Sequence, residues 1–281
     1  SWAYHAFDEG IGGGRFHRTR VLYDMLAIKD GSAYPYKDVE VPDIWFSDVQ
    51  LMALRSHNGL FVATHAGNNG ESHNHNDVGD FMVYADGNPV IIDVGSGTYT
   101  ARTFSRDRYK LWFNTSPYHN LPTINGNEQG GGKKYAATDV AYQQEKKYAQ
   151  LSMDIAKAYP AEAGVKNWLR EVKMNKDKDV IEVKDRYSLN TKPTSLAQSF
   201  MTVCSADIAT PGKIIFMLPD QSKVYLDYDK KLWSAGKEKM ELTTPEDQGL
   251  KHSWDGKDIW RILLTVKSLD PNRSTSYKIH K

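Results

Sequence analysis

The 281-residue sequence has little of three features that would each indicate a particular class of protein. Its one cysteine, Cys204, cannot form an intrachain disulfide, and we expect it to pack as a small hydrophobic side chain within the apolar stretch 200–204. No segment reaches the roughly 18 apolar residues of a membrane span. The net charge is +1, so the chain lacks the overall positive field of nucleic-acid binders. The expected partners therefore include neither a membrane nor a nucleic acid.

The first 40 residues differ in pattern from the rest of the chain. Apolar residues recur at helical spacing between positions 15 and 30, and Pro35 and Pro42 mark a linker after them. One amphipathic helix without a helical partner predicts that residues 1–40 are the end of a helical domain whose body is absent. The sequence starts without an initiator Met or a signal-peptide pattern. We therefore expect a mature or excised piece of a longer protein, with residues 41–281 as its second domain.

From Trp45 onward the pattern indicates short strands. His57-Asn58-Gly59 and Asp86-Gly87-Asn88 separate apolar runs in the way that hairpin turns do. A flexible loop is expected at 130–134. Many short strands with almost no helical periodicity predict a mainly β fold of stacked antiparallel sheets, a β-sandwich. The expected strands are 49–54, 60–64, 81–84, 90–94, 148–155, 168–174, 180–183, 196–203, 213–218, 223–228, 239–243, 260–266 and 275–280.

The run Ser72-His73-Asn74-His75-Asn76-Asp77 lies in a loop rich in Gly and Asn, directly before a strand pattern. A His-x-His pair in such a loop favours metal binding or proton transfer, although a solvated polar loop would look the same. With one cysteine available, a metal site must use His and Asp. The candidate ligands are His73, His75, Asp77, Asp80, Asp93 and His119.

Strand register limits this metal hypothesis. A tight hairpin at 86–88 places Asp93 opposite residue 80, 81 or 82. An extended chain would then carry His75 roughly 16–23 Å away, at about 3.3 Å per residue, which is too far for a shared ion. Either the metal hypothesis fails or residues 74–79 curl back toward Asp93.

Two further features lie between these histidines and His119. Asp93 interrupts an otherwise apolar run at 90–94, so its carboxylate should be paired, hydrogen-bonded or metal-bound. A basic and aromatic segment follows, and guanidinium groups bind carboxylates and sulfates well. A solvated loop is the alternative. The candidate substrate-binding residues are Tyr99, Arg102, Arg106, Arg108 and Tyr109.

Three stretches together resemble the C-terminal β region of the heparinase II/III-like polysaccharide lyases. They are 72–81 (SHNHNDVGDF), 92–95 (IDVG) and 117–120 (PYHN), and the likeness is strong over about residues 45–130. In this family an (α/α) toroid precedes stacked antiparallel sheets, and the active-site cleft lies between them. The resemblance implies that the helix at 15–30 is the last piece of a toroid, which would be the partner domain of the β region.

The resemblance also implies roles for individual residues. His75, Asp93 and His119 match zinc ligands of the heparinase II-like branch, where the zinc organises the β side of the cleft. His73 matches a histidine implicated in catalysis. The implied reaction is β-elimination at a uronic acid, which requires a base for the C5 proton and an acid for the departing O4. The usual toroid Tyr is not identifiable, and Tyr99, Tyr109 and Tyr118 are local candidates.

Three functional hypotheses remain open. The first is the β-domain of a lyase acting on an acidic polysaccharide, with heparin or heparan sulfate preferred over alginate or another uronate, active only with its toroid and working in the bacterial periplasm. The second is a non-catalytic carbohydrate-binding or structural β-sandwich in which a metal clips the fold. The third is a metal hydrolase with a water on its ion.

Overall fold

Residues 41–281, which the computed structural model describes, form β-strands, one α-helix and several short 3₁₀ turns. In chain order the elements are β1 (Ile44–Phe46), β2 (Leu51–Arg55), β3 (Leu60–His65), β4 (Asn68–Asn69), β5 (Phe81–Ala85), β6 (Asn88–Ile91), β7 (Pro122–Ile124), β8 (Gly132–Ala136), β9 (Thr138–Gln144), β10 (Tyr148–Asp154), β11 (Val165–Asn175), β12 (Val180–Leu189), β13 (Leu196–Thr202), β14 (Ser205–Asp207), β15 (Lys213–Met217), β16 (Lys223–Tyr228), β17 (Trp233–Lys239), α1 (Asp247–Ser253), β18 (Trp260–Val266) and β19 (Asn272–His280). Side chains along the strands alternate between buried and partly exposed, as expected for sheets with one face on a core. In β3, Leu60, Val62 and Thr64 are buried and the residues between them are partly exposed.

The strands form three larger sheets and one two-stranded pair. The five-stranded sheet has the order β1-β2-β3-β5-β6, the eight-stranded sheet β14-β15-β16-β19-β12-β11-β10-β9, the four-stranded sheet β17-β18-β13-β7, and the pair is β4-β8. The strand pairs of the described residues are antiparallel.

One apolar core joins the three larger sheets. It contains Val62 of the five-stranded sheet, Val183 of the eight-stranded sheet and Phe200 of the four-stranded sheet, all fully buried. Burial of apolar surface between facing sheets is the main stabilising contribution in such a stack. The prediction of a mainly β fold of stacked antiparallel sheets is therefore confirmed.

The two hairpin predictions are also confirmed. β2 and β3 are joined at Gly59, whose φ is 88°, and β5 and β6 are joined at Asp86 and Gly87, with φ of 50° and 77°. Positive φ at both central residues is what a two-residue hairpin turn with the right strand twist requires. The turn at 86–88 matters for function because it fixes where Asp93 lies relative to the loop before β5.

Some strand boundaries differ from the prediction. The strand expected at 239–243 lies earlier in the chain: β17 spans Trp233–Lys239 and pairs with β18 over this whole length. The expected flexible loop at 130–134 is wrong in its second half, since β8 begins at Gly132 and pairs with β4. The short strands β1, β4, β7, β8, β9 and β14 were not predicted. Five of these strands have at most five residues, too few for a clear periodic signal, and β9 has no fully buried residue, so pairing with a neighbour decides all six.

Cys204 packs as expected for a small hydrophobic residue: it is 7% exposed, and its Sγ lies 3.1 Å from the carbonyl oxygen of Pro89. Burial raises the pKa of its thiol. The predicted helix at 15–30 lies outside the described residues. Within residues 41–281, no helix has the length and apolar character that crossing a bilayer requires.

Candidate metal centre

The loop between β3 and β5 folds back on itself before β5 begins. The N–H of Asp80 donates to the carbonyl of Asp77 at 2.9 Å and closes a turn. Gly79 occupies this turn with a φ of 86°, and a Cβ there would lie 2.8 Å from Cγ2 of Ile155, so the position requires glycine. Of the two alternatives left by the register calculation, an extended chain and a curl, the molecule has the curl.

A buried glutamine, Gln129, holds the curled loop in place. Its Oε1 accepts from the N–H of Val78 at 3.0 Å, and its Nε2 donates to the carbonyl of the same residue at 2.8 Å. Asn69 donates to the same Oε1 at 3.0 Å and accepts from the N–H of Asp77 at 3.1 Å. Both amides are buried, so these hydrogen bonds form without competition from water and fix the backbone around the His-x-His run.

The curl brings four side chains together. Each side chain offers one nitrogen or oxygen that could bind a metal, and these four atoms all lie within 4.8 Å of one another; the residues are His75, Asp77, Asp93 and His119. The ring centroids of His75 and His119 are 5.3 Å apart. Asp93 follows the end of β6 by two residues, and its Oδ1 accepts from the N–H of Gly95 at 2.9 Å. Residues separated by up to 44 positions along the chain therefore meet at one point.

His119 enters this cluster from a 3₁₀ turn at Ser116–Tyr118 and is fully buried. Its Nδ1 lies 3.4 Å from Oδ2 of Asp80 and 3.8 Å from Oδ1 of Asp93. Neither ring nitrogen forms a hydrogen bond to any described residue. A buried polar atom without a partner costs free energy, and a bound ion would remove that cost for one of the two ring nitrogens.

The four groups perturb one another's protonation. Burial, with the positive charge of His119, lowers the pKa of His75 to about 4. Burial raises the pKa of Asp77 to about 7. Burial alone would lower the pKa of His119, but the carboxylates of Asp80, Asp93 and Asp77 outweigh it and raise that pKa to about 9. The pKa of Asp93 is lowered, because the two histidines outweigh its burial.

These residues fit a divalent cation such as zinc. Two imidazoles and two carboxylates are ligands that zinc accepts, and two carboxylate charges offset the charge of the ion. Ligand atoms around a tetrahedral zinc lie about 3.4 Å apart, given bonds of about 2.0–2.2 Å. The present separations of up to 4.8 Å are therefore within reach of small side-chain rotations. Asp77 completes a set of four, whereas the resemblance implied only His75, Asp93 and His119.

His73 lies beside this cluster but is not part of it. Its side chain is exposed, and its φ of 61° places it in the left-handed region, which is uncommon for a residue with a side chain. The ring of Tyr99 stacks on it with centroids 5.9 Å apart, and the Tyr99 hydroxyl lies 3.3 Å from its Nδ1. Phe104, 69% exposed, packs edge-on against Tyr99. An exposed aromatic surface therefore borders the buried cluster.

The three candidate arginines differ in their surroundings. The guanidinium of Arg108 donates to the carbonyls of Asn74 and Thr103, and that of Arg102 donates to the carbonyl of Lys110 at 3.2 Å. These two side chains therefore already support the loop. Arg106 is exposed. The ring of Tyr109 lies close to Gly131, at 2.7 Å from the position of an added Cβ.

Asn120, next to His119, ties the cluster to two strands. Its N–H donates to Asp80 at 2.7 Å, and its side-chain amide donates to the carbonyls of Phe81 and Ile92 at 2.7 and 3.0 Å. Its Oδ1 accepts from the N–H of Met201 at 2.8 Å. Asn120 is fully buried, so if it were replaced, these groups would lose their partner and no water could take its place.

We expect Asn120→Ala to lower the free energy of unfolding by about 3 kcal/mol, because it leaves several buried donors and acceptors unpaired. Urea unfolding followed by tryptophan fluorescence measures this. Asn88→Ala is the matched control, since Asn88 forms one hydrogen bond of 3.3 Å near the surface, and it should change stability by well under 1 kcal/mol. Equal effects of the two substitutions would contradict this role of Asn120.

The sequence analysis missed the residues that support the cluster. Gln129 carries no sequence signal that distinguishes it from loop residues, and Asn120 lies in the PYHN stretch but was assigned no role. Arg170 does carry one: it alternates in phase with the apolar Trp168 and Val172 of β11, and it is indeed 1% exposed. Asp77 was a candidate ligand, and its place in the cluster depends on the turn closed by Asp80.

The fold and the cluster define a stacked β-sheet domain with a His–Asp site in which both histidines are buried. The sequence model of the heparinase II/III-like, C-terminal family matches residues 40–254. The chain belongs to this family, which confirms the resemblance found in the sequence. No curated protein matches the chain by sequence.

Solved structures agree with this assignment. The chain is similar to the heparan sulfate lyase HepC from Pedobacter heparinus, with a TM-score of 0.66 and 16% identity over 93% of this chain and 40% of the lyase. It is also similar to a heparinase III, with a TM-score of 0.61 and 15% identity over 86% of this chain and 37% of that protein. At such identities the likeness establishes the fold alone. The chain spans well under half the length of these lyases.

Proposed function

We propose that the chain is the β-domain of a polysaccharide lyase that cleaves uronic-acid-containing glycans by β-elimination, with heparin or heparan sulfate as the preferred class. The observation that carries the proposal is the convergence of His75, Asp77, Asp93 and His119 beside an exposed, strained His73. Family membership supports a polysaccharide lyase, and a strained backbone at an exposed histidine is typical of a functional site.

In this proposal His75, Asp93 and His119 hold a zinc ion, and Asp77 is the fourth side chain within reach. When bound, the ion would supply a double positive charge that offsets the half-buried carboxylates of Asp77 and Asp93. Four protein ligands are typical of a structural zinc site, whereas catalytic sites keep a position for water. The ligand set therefore favours an organising ion over the metal-hydrolase hypothesis.

His73 and Tyr99 are the groups proposed to contact the substrate. In β-elimination a base removes the C5 proton, the C4–O4 bond breaks, a C4–C5 double bond forms, and O4 receives a proton. His73 is suited to act as the base or, when protonated, to neutralise the uronate carboxylate. The Tyr99 hydroxyl, 3.3 Å from Nδ1 of His73, is better placed to share this task than the alternatives Tyr109 and Tyr118.

The basic segment is proposed to contact the acidic polymer. Arg106 is exposed and suited to pair with sulfate or carboxylate groups. Arg102 and Arg108 shape the same loop through their carbonyl contacts and contribute positive charge. Tyr99 and Tyr109 offer rings for sugar stacking. An alginate or another uronate would meet the same groups, because carboxylates and sulfates pair with guanidinium in the same way.

The whole active site requires a second domain in this proposal. The similar lyases are more than twice as long as the matched region, and residues 1–40 would be the end of a toroid domain that supplies the other half of the cleft. A bacterial periplasm is the proposed location, where imported polysaccharide fragments would be degraded.

We expect the isolated chain to produce no growth of ultraviolet absorbance with heparan sulfate or alginate, because in this proposal the toroid domain supplies catalytic groups on the other side of the cleft. The unsaturated uronate formed by elimination absorbs in the ultraviolet, so the assay is direct. The longer protein that includes the toroid domain should turn over at least one of the two polymers. Turnover by the isolated chain would contradict the need for a toroid, and no turnover by the longer protein on any uronate polymer would contradict the lyase.

A non-catalytic carbohydrate-binding or structural β-sandwich is the second candidate. The complete burial of His119 favours it, because a buried ion could serve the fold alone. The two candidates differ in the role of His73, which a fold-stabilising clip does not require.

A further inference from the structure

A buried ion pair connects the eight-stranded sheet to the candidate metal centre. Arg170 on β11 is 1% exposed and Asp185 on β12 is fully buried. The two residues are opposite one another in the sheet. The guanidinium donates to the carboxylate twice, from Nε to Oδ1 at 2.9 Å and from Nη2 to Oδ2 at 2.7 Å. This two-point pairing fixes the plane of the guanidinium group.

Nη2 also donates to Oε1 of Gln198 at 3.0 Å, and the donors on Nη1 point at the segments that carry the candidate ligands. Nη1 donates to the carbonyls of Gly79 at 3.0 Å and Asn120 at 2.9 Å. Gly79 follows Asp77 by two residues, and Asn120 follows His119 directly. One nitrogen of a side chain on the large sheet therefore holds two chain segments that are 41 residues apart in sequence.

Stability alone does not account for an ion pair at this position. Removing two charges from water is costly, and a well-packed apolar pair of similar volume is often equally or more stable. What an apolar pair cannot provide is a donor at a fixed point between two carbonyl groups. The carbonyls of Gly79 and Asn120 need such a donor, since they lie in turns outside any strand ladder.

We propose that Arg170, oriented by Asp185, is a positioning residue for the metal centre: it sets the separation between the Asp77 turn and His119 and thereby sets the affinity for the ion. This inference rests on the metal site of the proposed function. It extends that site beyond its ligands to a pair on a different sheet. Groups that orient metal ligands through hydrogen bonds typically change metal affinity ten- to a hundredfold.

The test compares the full chain with the double variant Arg170→Met/Asp185→Leu, which removes both charges together and leaves neither buried alone. We expect the metal-free double variant to unfold at a lower temperature than the metal-free parent, because the carbonyls of Gly79 and Asn120 lose their donor, and zinc binding is therefore compared at a temperature where both are folded. We expect its zinc dissociation constant, measured by competition with a chromophoric chelator, to rise about ten- to a hundredfold. The visible absorption of bound cobalt(II), which reports ligand geometry, should change as well.

Two further variants make the result decisive. Arg170→Lys keeps the charge opposite Asp185, but a single ammonium cannot serve two carboxylate oxygens and two carbonyls, so it should also weaken zinc binding. If the double variant does not fold, the zinc affinity of Arg170→Lys tests the positioning role instead. Lys239→Met/Asp258→Leu removes an exposed ion pair and should leave zinc affinity unchanged.

The outcomes separate this inference from the proposed function. Zinc binding by the parent with unchanged affinity and cobalt spectrum in the Arg170 variants would overturn the positioning role and leave the metal site standing. No zinc binding by the parent would overturn the metal site itself, and this inference with it.

Discussion

Removing divalent metal from the chain should lower the midpoint of thermal unfolding by about 10 °C. An ion present at a thousand times its dissociation constant stabilises the folded state by about 4 kcal/mol. For a domain of about 240 residues, 1 kcal/mol corresponds to roughly 2–4 °C. The physical reason lies in the buried His119 and the crowded carboxylates: without the ion, the ring nitrogens of His119 have no hydrogen-bond partner, and the carboxylates of Asp77 and Asp93 lie close together. Calorimetry with and without a chelator measures the shift.

Asp93→Ala should reproduce the effect of the chelator, because it removes a proposed ligand and would weaken binding of the ion. In this variant the chelator should cause little additional shift. Asp48→Ala, at an exposed position, is the matched control and should keep both the parent midpoint and its response to chelator. A metal analysis of the purified chain that finds no ion, together with an unchanged midpoint, would rule out a metal at this place.

In the proposed longer lyase, replacing His73 should reduce turnover by about a hundred- to ten-thousandfold, which is the usual contribution of a positioned acid or base. Folding and metal content should remain those of the parent, because His73 is exposed and lies outside the four-residue cluster. The release of unsaturated uronate, followed by ultraviolet absorbance, measures turnover. Thermal unfolding and metal analysis of the same samples test the other two statements.

The choice of substituent matters at this position because the φ of His73 is 61°. Asn adopts this conformation more readily than Ala, so His73→Asn separates loss of the imidazole from a change in backbone strain. His57→Ala, an exposed histidine in the β2–β3 turn, is the matched control and should keep full turnover. Unchanged turnover in both His73 variants would favour the non-catalytic β-sandwich with a metal clip.

The sequence predicted the fold well where its signal was local. The hairpin at Asp86 and Gly87 follows from residues that accept a positive φ, and it fixes Asp93 beyond the end of β6. The strands β10, β13 and β18 were found at nearly the right limits because they are rich in apolar residues. The strand β17 was misplaced because most of its residues from Glu238 back to Ser234 are polar or small.

The candidate site depended on contacts that no local pattern encodes. The register of β5 and β6 left both an extended loop and a curl possible. The curl follows from the turn at Gly79 and from Gln129, which is 50 residues farther along the chain. Asp77 joined the cluster through the same turn, and the contacts of Arg102 and Arg108 with backbone carbonyls show that two predicted binding residues also have a structural task.

By itself, the sequence determined the class of fold, the family and the side chains with metal-binding chemistry. Strand periodicity, turn residues and short motifs depend only on residues that are close together in the chain. Only the tertiary structure decided that His75, Asp77, Asp93 and His119 meet, and that Arg170 holds two of their segments. The physical reason is that convergence depends on hydrogen bonds between buried groups far apart in the chain, whose formation requires the stacked sheets to exclude water around them.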